Sequence, residues 1–149
     1  MENSLILKRI RLVSILAILL ALCDCTTISL FDQHAYIQTT SAKVDALNTM
    51  DLARADYKTN EKSVLDLQTQ LQKIYEYEKN RPKNEITLQL WNKLLDPGGH
   101  LLGGFLKRWE TEKKLNDTFI IEMKKMVADA FDQIAGLESK KIKSSDVTI

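Results

Sequence analysis

Apolar residues recur at spacings of three and four through most of the chain, the period that places them on one face of an α-helix. The clearest run is the last: Ile120, Met123, Val127, Ala130, Ile134 and Leu137, widened by Phe119, Met126 and Phe131, with Asn116 or Asp117 placed to cap it. Asp117 and Glu122 lie early, and Lys140, Lys141 and Lys143 late, the charge order that complements a helix dipole. Val64, Leu67, Leu71 and Ile74 predict a second helix, with Thr59 or Asn60 as its cap. Pro82 ends it by removing a donor and pushing Arg81 out of the α region.

An earlier stretch from Phe31 to Tyr57 holds neither Gly nor Pro, and Ile37, Val44, Leu47 and Met50 give it an approximate helical stripe. The β-branched Ile37, Thr39 and Thr40 move its expected start toward Ser41. After Asn84, a further cap, Leu88, Trp91, Leu94 and Leu95 share a helical face. Asp96-Pro97-Gly98-Gly99 then spells a turn, with Gly98 expected to supply a positive φ. On a short helix from Phe105 to Lys114, Phe105, Leu106 and Trp109 fall together. The pattern predicts an all-α fold, a small bundle of three to four helices around the face of the final one.

One apolar run has no polar face. Lys8, Arg9 and Arg11 precede Leu12 to Leu22, the basic and apolar regions of a secretory signal. From Leu12 to Cys23 the run spans about 18 Å as a helix, against a hydrocarbon core of about 30 Å. Extending it would bring Asp24 into the membrane, at about 2.5–3.5 kcal/mol near the bilayer centre. A signal segment fits better than a permanent span.

The end of that run, Leu20-Ala21-Leu22-Cys23, resembles the lipobox of bacterial lipoproteins. The resemblance covers the first 25 residues, and it departs from the family at Leu22, where Gly, Ala or Ser is preferred. It implies cleavage after Leu22 and acylation of Cys23, with Cys25 as the alternative. It also implies anchoring to a bacterial membrane through several acyl chains, with the domain facing the periplasm. Asp24 resembles the signal that retains some lipoproteins at the inner membrane, and inner against outer membrane stays open. The expected organisation is a signal peptide over 1–22, a lipidated tether over 23–30, a helical domain over 31–143 and a loose tail over 144–149.

Charge narrows the partners. The chain carries 21 basic and 20 acidic residues. Removing residues 1–22 takes away Lys8, Arg9, Arg11 and Glu2, which leaves a net charge of −1 and no overall electrostatic case for nucleic acid. Cys23 and Cys25 are the only cysteines, so no disulfide staples the domain, and a lone C-x-C with few histidines is a poor metal site. His34 reads as a surface or packing residue.

Candidate chemistry is sparse. Residues 98–104 hold four of the five glycines, but no Lys-Ser/Thr follows them as a phosphate loop requires; a connector that tucks Leu101 and Leu102 into the core is the simpler reading. Trp91 and Trp109 flank that loop, and with His100 and Arg108 they form a candidate partner-binding patch, although burial explains tryptophan equally well. G-x-S-x-G and H-E-x-x-H are absent from the sequence. Glu110 with Glu112, or Asp129 with Asp132, could pair as acid and base, yet surface helices carry such residues routinely. The expectation is a non-enzymatic cell-envelope lipoprotein without a cofactor that binds a protein partner or serves structurally. A secreted or short-anchored helical protein without lipid, or a self-assembling one, is the alternative.

Overall fold

A computed structural model describes residues 31–148 of the chain. The signal segment, both cysteines and the tether as far as Leu30 lie outside the described residues. Five α-helices follow: α1 (Gln33–Asp51), α2 (Tyr57–Lys79), α3 (Glu85–Leu95), α4 (Leu102–Glu112) and α5 (Asp117–Glu138). Short 3-10 turns occupy Leu52–Arg54 and Ser144–Asp146, and no strand occurs among the described residues. The all-helical class is as the periodicity predicts, but the described residues form five α-helices rather than three to four. The two short segments beside the Asp96–Pro97 turn each bury a face of their own, Leu90, Trp91 and Leu94 on α3 and Leu102, Phe105, Leu106 and Trp109 on α4.

α5 follows the sequence closely. All six residues of its predicted stripe are buried, together with Phe131, while Phe119 is half-buried and Met126 is exposed. Asn116 caps it by accepting from the Phe119 N–H at 2.9 Å. The helix ends at Glu138, so Lys140, Lys141 and Lys143 follow it instead of occupying its last turn. Lys140 adopts φ 57°, and the chain folds back so that the Lys141 and Ile142 N–H groups donate to the Gly136 carbonyl at 3.0 and 3.3 Å. The expected loose tail is thereby docked: Val147 packs against the core, and the Thr148 N–H donates to Gln133 Oε1 at 2.7 Å.

α1 departs most from its pattern. Ile37 and Val44 are 53% and 57% exposed, and the inward face is Ala35, Thr39, Ala42, Ala46, Thr49 and Met50. α1 lies between α2 and α5: Asp45 accepts from Gln70 of α2 at 2.9 Å, and Lys43 donates to Asp132 of α5 at 2.6 Å. Small side chains let a helix approach two neighbours closely, where an inward Ile and Val would hold the axes apart. The helix also starts earlier than expected, because the Asp32 carboxylate accepts from the N–H groups of His34 (2.8 Å) and Ala35 (3.1 Å). Such a cap contributes about 1 kcal/mol, more than the few tenths that a β-branched residue costs.

α2 buries Val64, Leu67, Leu71 and Ile74 as predicted. Its cap is Asp56, not Thr59 or Asn60; the side chains of those two residues donate instead to the Asp56 carbonyl. The turn after α3 closes with the Gly99 N–H on the Asp96 carbonyl at 3.0 Å, and no glycine among the described residues has a positive φ. Glycine is required further on. A Cβ at Gly103 would lie 2.3 Å from the Leu95 carbonyl oxygen, and one at Gly104 would lie 1.9 Å from that of Gly99. α4 can therefore start at Leu102, inside the glycine stretch and hard against the end of α3, with Leu101 and Leu102 buried as expected.

Candidate functional site

The close approach of α4 to the end of α3 leaves a groove of about 1030 Å³ between these two elements and the outer side of α2. Leu71, Leu95, Leu102 and Leu106 make its apolar part. From α2, Tyr57 and Tyr75 flank the buried stripe and stay half-buried. Tyr75 donates to Asn92 Oδ1 at 2.8 Å, and the Tyr57 ring stands edge-on to Trp109 at 5.4 Å. Burial pushes the Tyr57 phenol up, helped by the charge of Glu110. At the rim, Lys107 donates to Glu110 at 2.9 Å and holds that carboxyl below its ordinary value. An apolar concavity with a few fixed polar groups is the usual form of a binding site. Among the described residues, no cluster of His, Cys, Asp or Glu could hold a metal.

The four residues of the predicted patch do not form a surface. Trp91 and Trp109 are both 0% exposed, which removes them as partner-binding residues. Trp91 meets Phe131 edge-on at 5.8 Å, and Trp109 donates its indole N–H to the Ala55 carbonyl at 3.1 Å. Each ring joins the inner face of its short helix, beside Leu90 and Leu94 on α3 and beside Leu102, Phe105 and Leu106 on α4. His100 is exposed in the turn. Arg108 is also exposed; it pairs with Glu112 at 2.7 Å and lies 4.2 Å over the Phe119 ring. Three of the four candidate acid–base residues serve surface ion pairs, Glu110 with Lys107, Glu112 with Arg108 and Asp132 with Lys43, and Asp129 is exposed on α5. His34 is exposed and stands edge-on to Tyr77 at 5.1 Å.

A buried ionic cluster was missed by the reading of motifs. Arg81 Nη1 lies 2.8 Å from both Glu78 Oε2 and Glu138 Oε1, and its Nε lies 3.8 Å from Asp32 Oδ2. The Glu78 and Glu138 side chains are 0% and 1% exposed. Asn84 donates to Glu78 Oε2 at 2.6 Å and to the Glu78 carbonyl at 2.9 Å, so it holds the capping position of α3 without capping it. Tyr77 donates to Asp32 Oδ2 at 2.6 Å.

Electrostatics divide this cluster. The Tyr77 hydroxyl and the Ala35 N–H hold the Asp32 carboxyl below its ordinary value. Burial pushes Glu138 up, and its bond to Arg81 offsets this only in part. For Arg81 burial opposes the charge, but hydrogen bonds to Glu138 and Glu78 outweigh it and the guanidinium stays protonated. Desolvating such groups is costly, so the cluster fixes geometry more than it adds net stability. A readable sign existed. Glu78 continues the inward register 64, 67, 71, 74, and Glu138 follows Leu137 on the inward face of α5, so each is a charge on a face that must be buried.

Compared with protein-family models, with curated proteins and with solved structures, the chain matches none.

Proposed function

We propose that this protein is a non-enzymatic, lipid-anchored component of a bacterial cell envelope whose helical domain binds a protein partner in the groove between α2 and α4. The observation that carries the binding role is the groove itself, a concavity floored by the buried Leu71, Leu102 and Leu106 and walled by the half-buried Leu95, Tyr57 and Tyr75. Apolar surface with tyrosine at its margin is the composition of protein-recognition surfaces. The anchoring role rests on Leu20-Ala21-Leu22-Cys23 behind a basic and apolar leader. No helix among the described residues is long and apolar enough to cross a membrane.

Two experiments test the two halves. Cells fed labelled palmitate incorporate it into the parent chain and not into Cys23→Ser; equal incorporation by both would move the anchor to Cys25, and none would remove it. A photoreactive residue in place of Gln72, in the groove, cross-links one discrete protein in intact cells, and the same residue in place of Lys125, on the exposed side of α5, does not. Identical adducts from both positions would sink the groove assignment.

A further inference from the structure

The Asp32–Tyr77 bond and the contacts of Arg81 with Asp32 and Glu138 bring the start of α1, the end of α2 and the end of α5 to one place, where the chain enters the bundle. Around it stand five exposed lysines: Lys79, Lys83, Lys140, Lys141 and Lys143. Among the described residues, Lys83, Lys140, Lys141 and Lys143 make no side-chain ion pair; at the opposite end, Arg54 pairs with Asp117 at 2.9 Å and Lys58 with Glu61 at 2.8 Å. The acids at the entry end are largely occupied. Glu78 and Glu138 are buried against Arg81, Asp32 accepts from Tyr77, and Asp146 accepts from the Lys143 N–H and the Ser145 hydroxyl. Glu76 lies 3.7 Å from Lys79, and Glu85 is exposed in the first turn of α3. Cations therefore dominate what this end offers to a neighbour, and Phe31 stands beside them, 53% exposed.

We infer that this end of the bundle is a docking surface for an anionic lipid headgroup layer. Clustered lysines with an exposed aromatic ring at the point of chain entry suit a membrane–water interface, where basic residues meet anionic headgroups and aromatic rings settle at headgroup depth. Position selects lipid over other polyanions. From Cys23 to Phe31 the chain reaches at most about 28 Å when fully extended, so an anchor at Cys23 keeps this end nearest the bilayer. Screening confines the attraction to about 8 Å at physiological salt, and the short tether holds the lysines where that range can be met. The orientation rests on the anchor proposed above; the attraction itself belongs to the lysines.

The test uses the full chain reconstituted into vesicles of phosphatidylcholine alone or mixed with phosphatidylglycerol, labelled with a water-soluble amine reagent and read residue by residue by mass spectrometry. On anionic vesicles, labelling of Lys83, Lys140, Lys141 and Lys143 falls about tenfold and recovers in high salt. Lys58, Lys62 and Lys114 label equally on both vesicles. Lys140→Glu with Lys141→Glu abolishes the protection of Lys83 and Lys143 while leaving the helical signal in circular dichroism unchanged. Equal labelling on neutral and anionic vesicles overturns the inference, as does protection of Lys58 and Lys62 instead, or protection by soluble polyglutamate without any by vesicles. A chain that takes up no palmitate yet shows the lysine pattern refutes the anchor alone; one that takes it up without the pattern refutes the docking surface alone.

Discussion

The two ends of the bundle hold their charges in opposite ways. At the entry end, the ionic groups that hold the structure are buried: one arginine joins the carboxylates of Glu78 and Glu138 and reaches toward Asp32, while the surrounding lysines stay at the surface. At the far end, Arg54 bridges Asp51 and Asp117, Lys58 pairs with Glu61, and Lys124 pairs with Asp51, the last half-buried and the others exposed to solvent. Backbone bonds join that end instead, with the Tyr57 N–H on the Lys113 carbonyl at 2.8 Å and the Leu115 N–H on the Ala53 carbonyl at 2.9 Å. The lesson is that the number of ion pairs says little about stability; what counts is whether water can replace the partner.

Replacing Arg81 is the severest test of this contrast. Arg81→Met leaves Glu78 and Glu138 buried without their counter-ion and is expected to cost about 3–5 kcal/mol in urea denaturation. A triple variant, Arg81→Met with Glu78→Leu and Glu138→Leu, recovers most of that loss, because no charge is then left without a partner. A failure of the triple variant to recover would show that the cluster's geometry, not its desolvation balance, is what the fold needs.

Asp32→Ala comes next, at about 1 kcal/mol for the lost cap. Its carboxyl is held below the ordinary value in the folded chain, so its contribution is complete above the unfolded pKa and disappears as pH falls through the lower folded one. The difference between parent and Asp32→Ala should therefore be flat near neutrality and shrink in acid below about pH 4. Glu138 works with the opposite sign: burial raises its carboxyl, so the penalty is absent below the unfolded pKa and grows as pH rises across the window between the unfolded and the folded pKa values. Denaturation of Glu138→Gln across that window, compared with the parent, separates the two contributions.

The far end supplies the smallest effects. Arg54→Ala and Lys58→Ala should leave the denaturation midpoint close to that of the parent, with any difference vanishing in high salt, since exposed pairs are screened. A loss comparable to that of Arg81→Met would erase the distinction between the two ends.

Periodicity carried α5 and the inner face of α2 because a single strong stripe leaves one way to bury each. It held only in part on α1, where Met50 is buried and Leu47 half-buried but Ile37 and Val44 are exposed, because the helix sits between two neighbours and turns its alanines inward. It also could not tell a tryptophan of the core from one of a binding surface, since Trp91 and Trp109 have the spacing that either role requires. The groove was out of reach for a related reason: Tyr57, Tyr75, Leu95 and Leu106 come from three helices, and only the seating of α4 against α3, which Gly103 and Gly104 permit, leaves them facing a common space.

Sequence by itself determined the helical class, the breaks at Pro82 and Asp96–Pro97, and the buried faces of α2 and α5, because each depends on the spacing of neighbours along one chain. Tertiary structure decided which face of α1 is inside, that both tryptophans are core, and that Arg81 binds Glu78 and Glu138. Those outcomes depend on competition among segments for the same limited interior, where the closest-fitting face is buried even when it is not the most hydrophobic one.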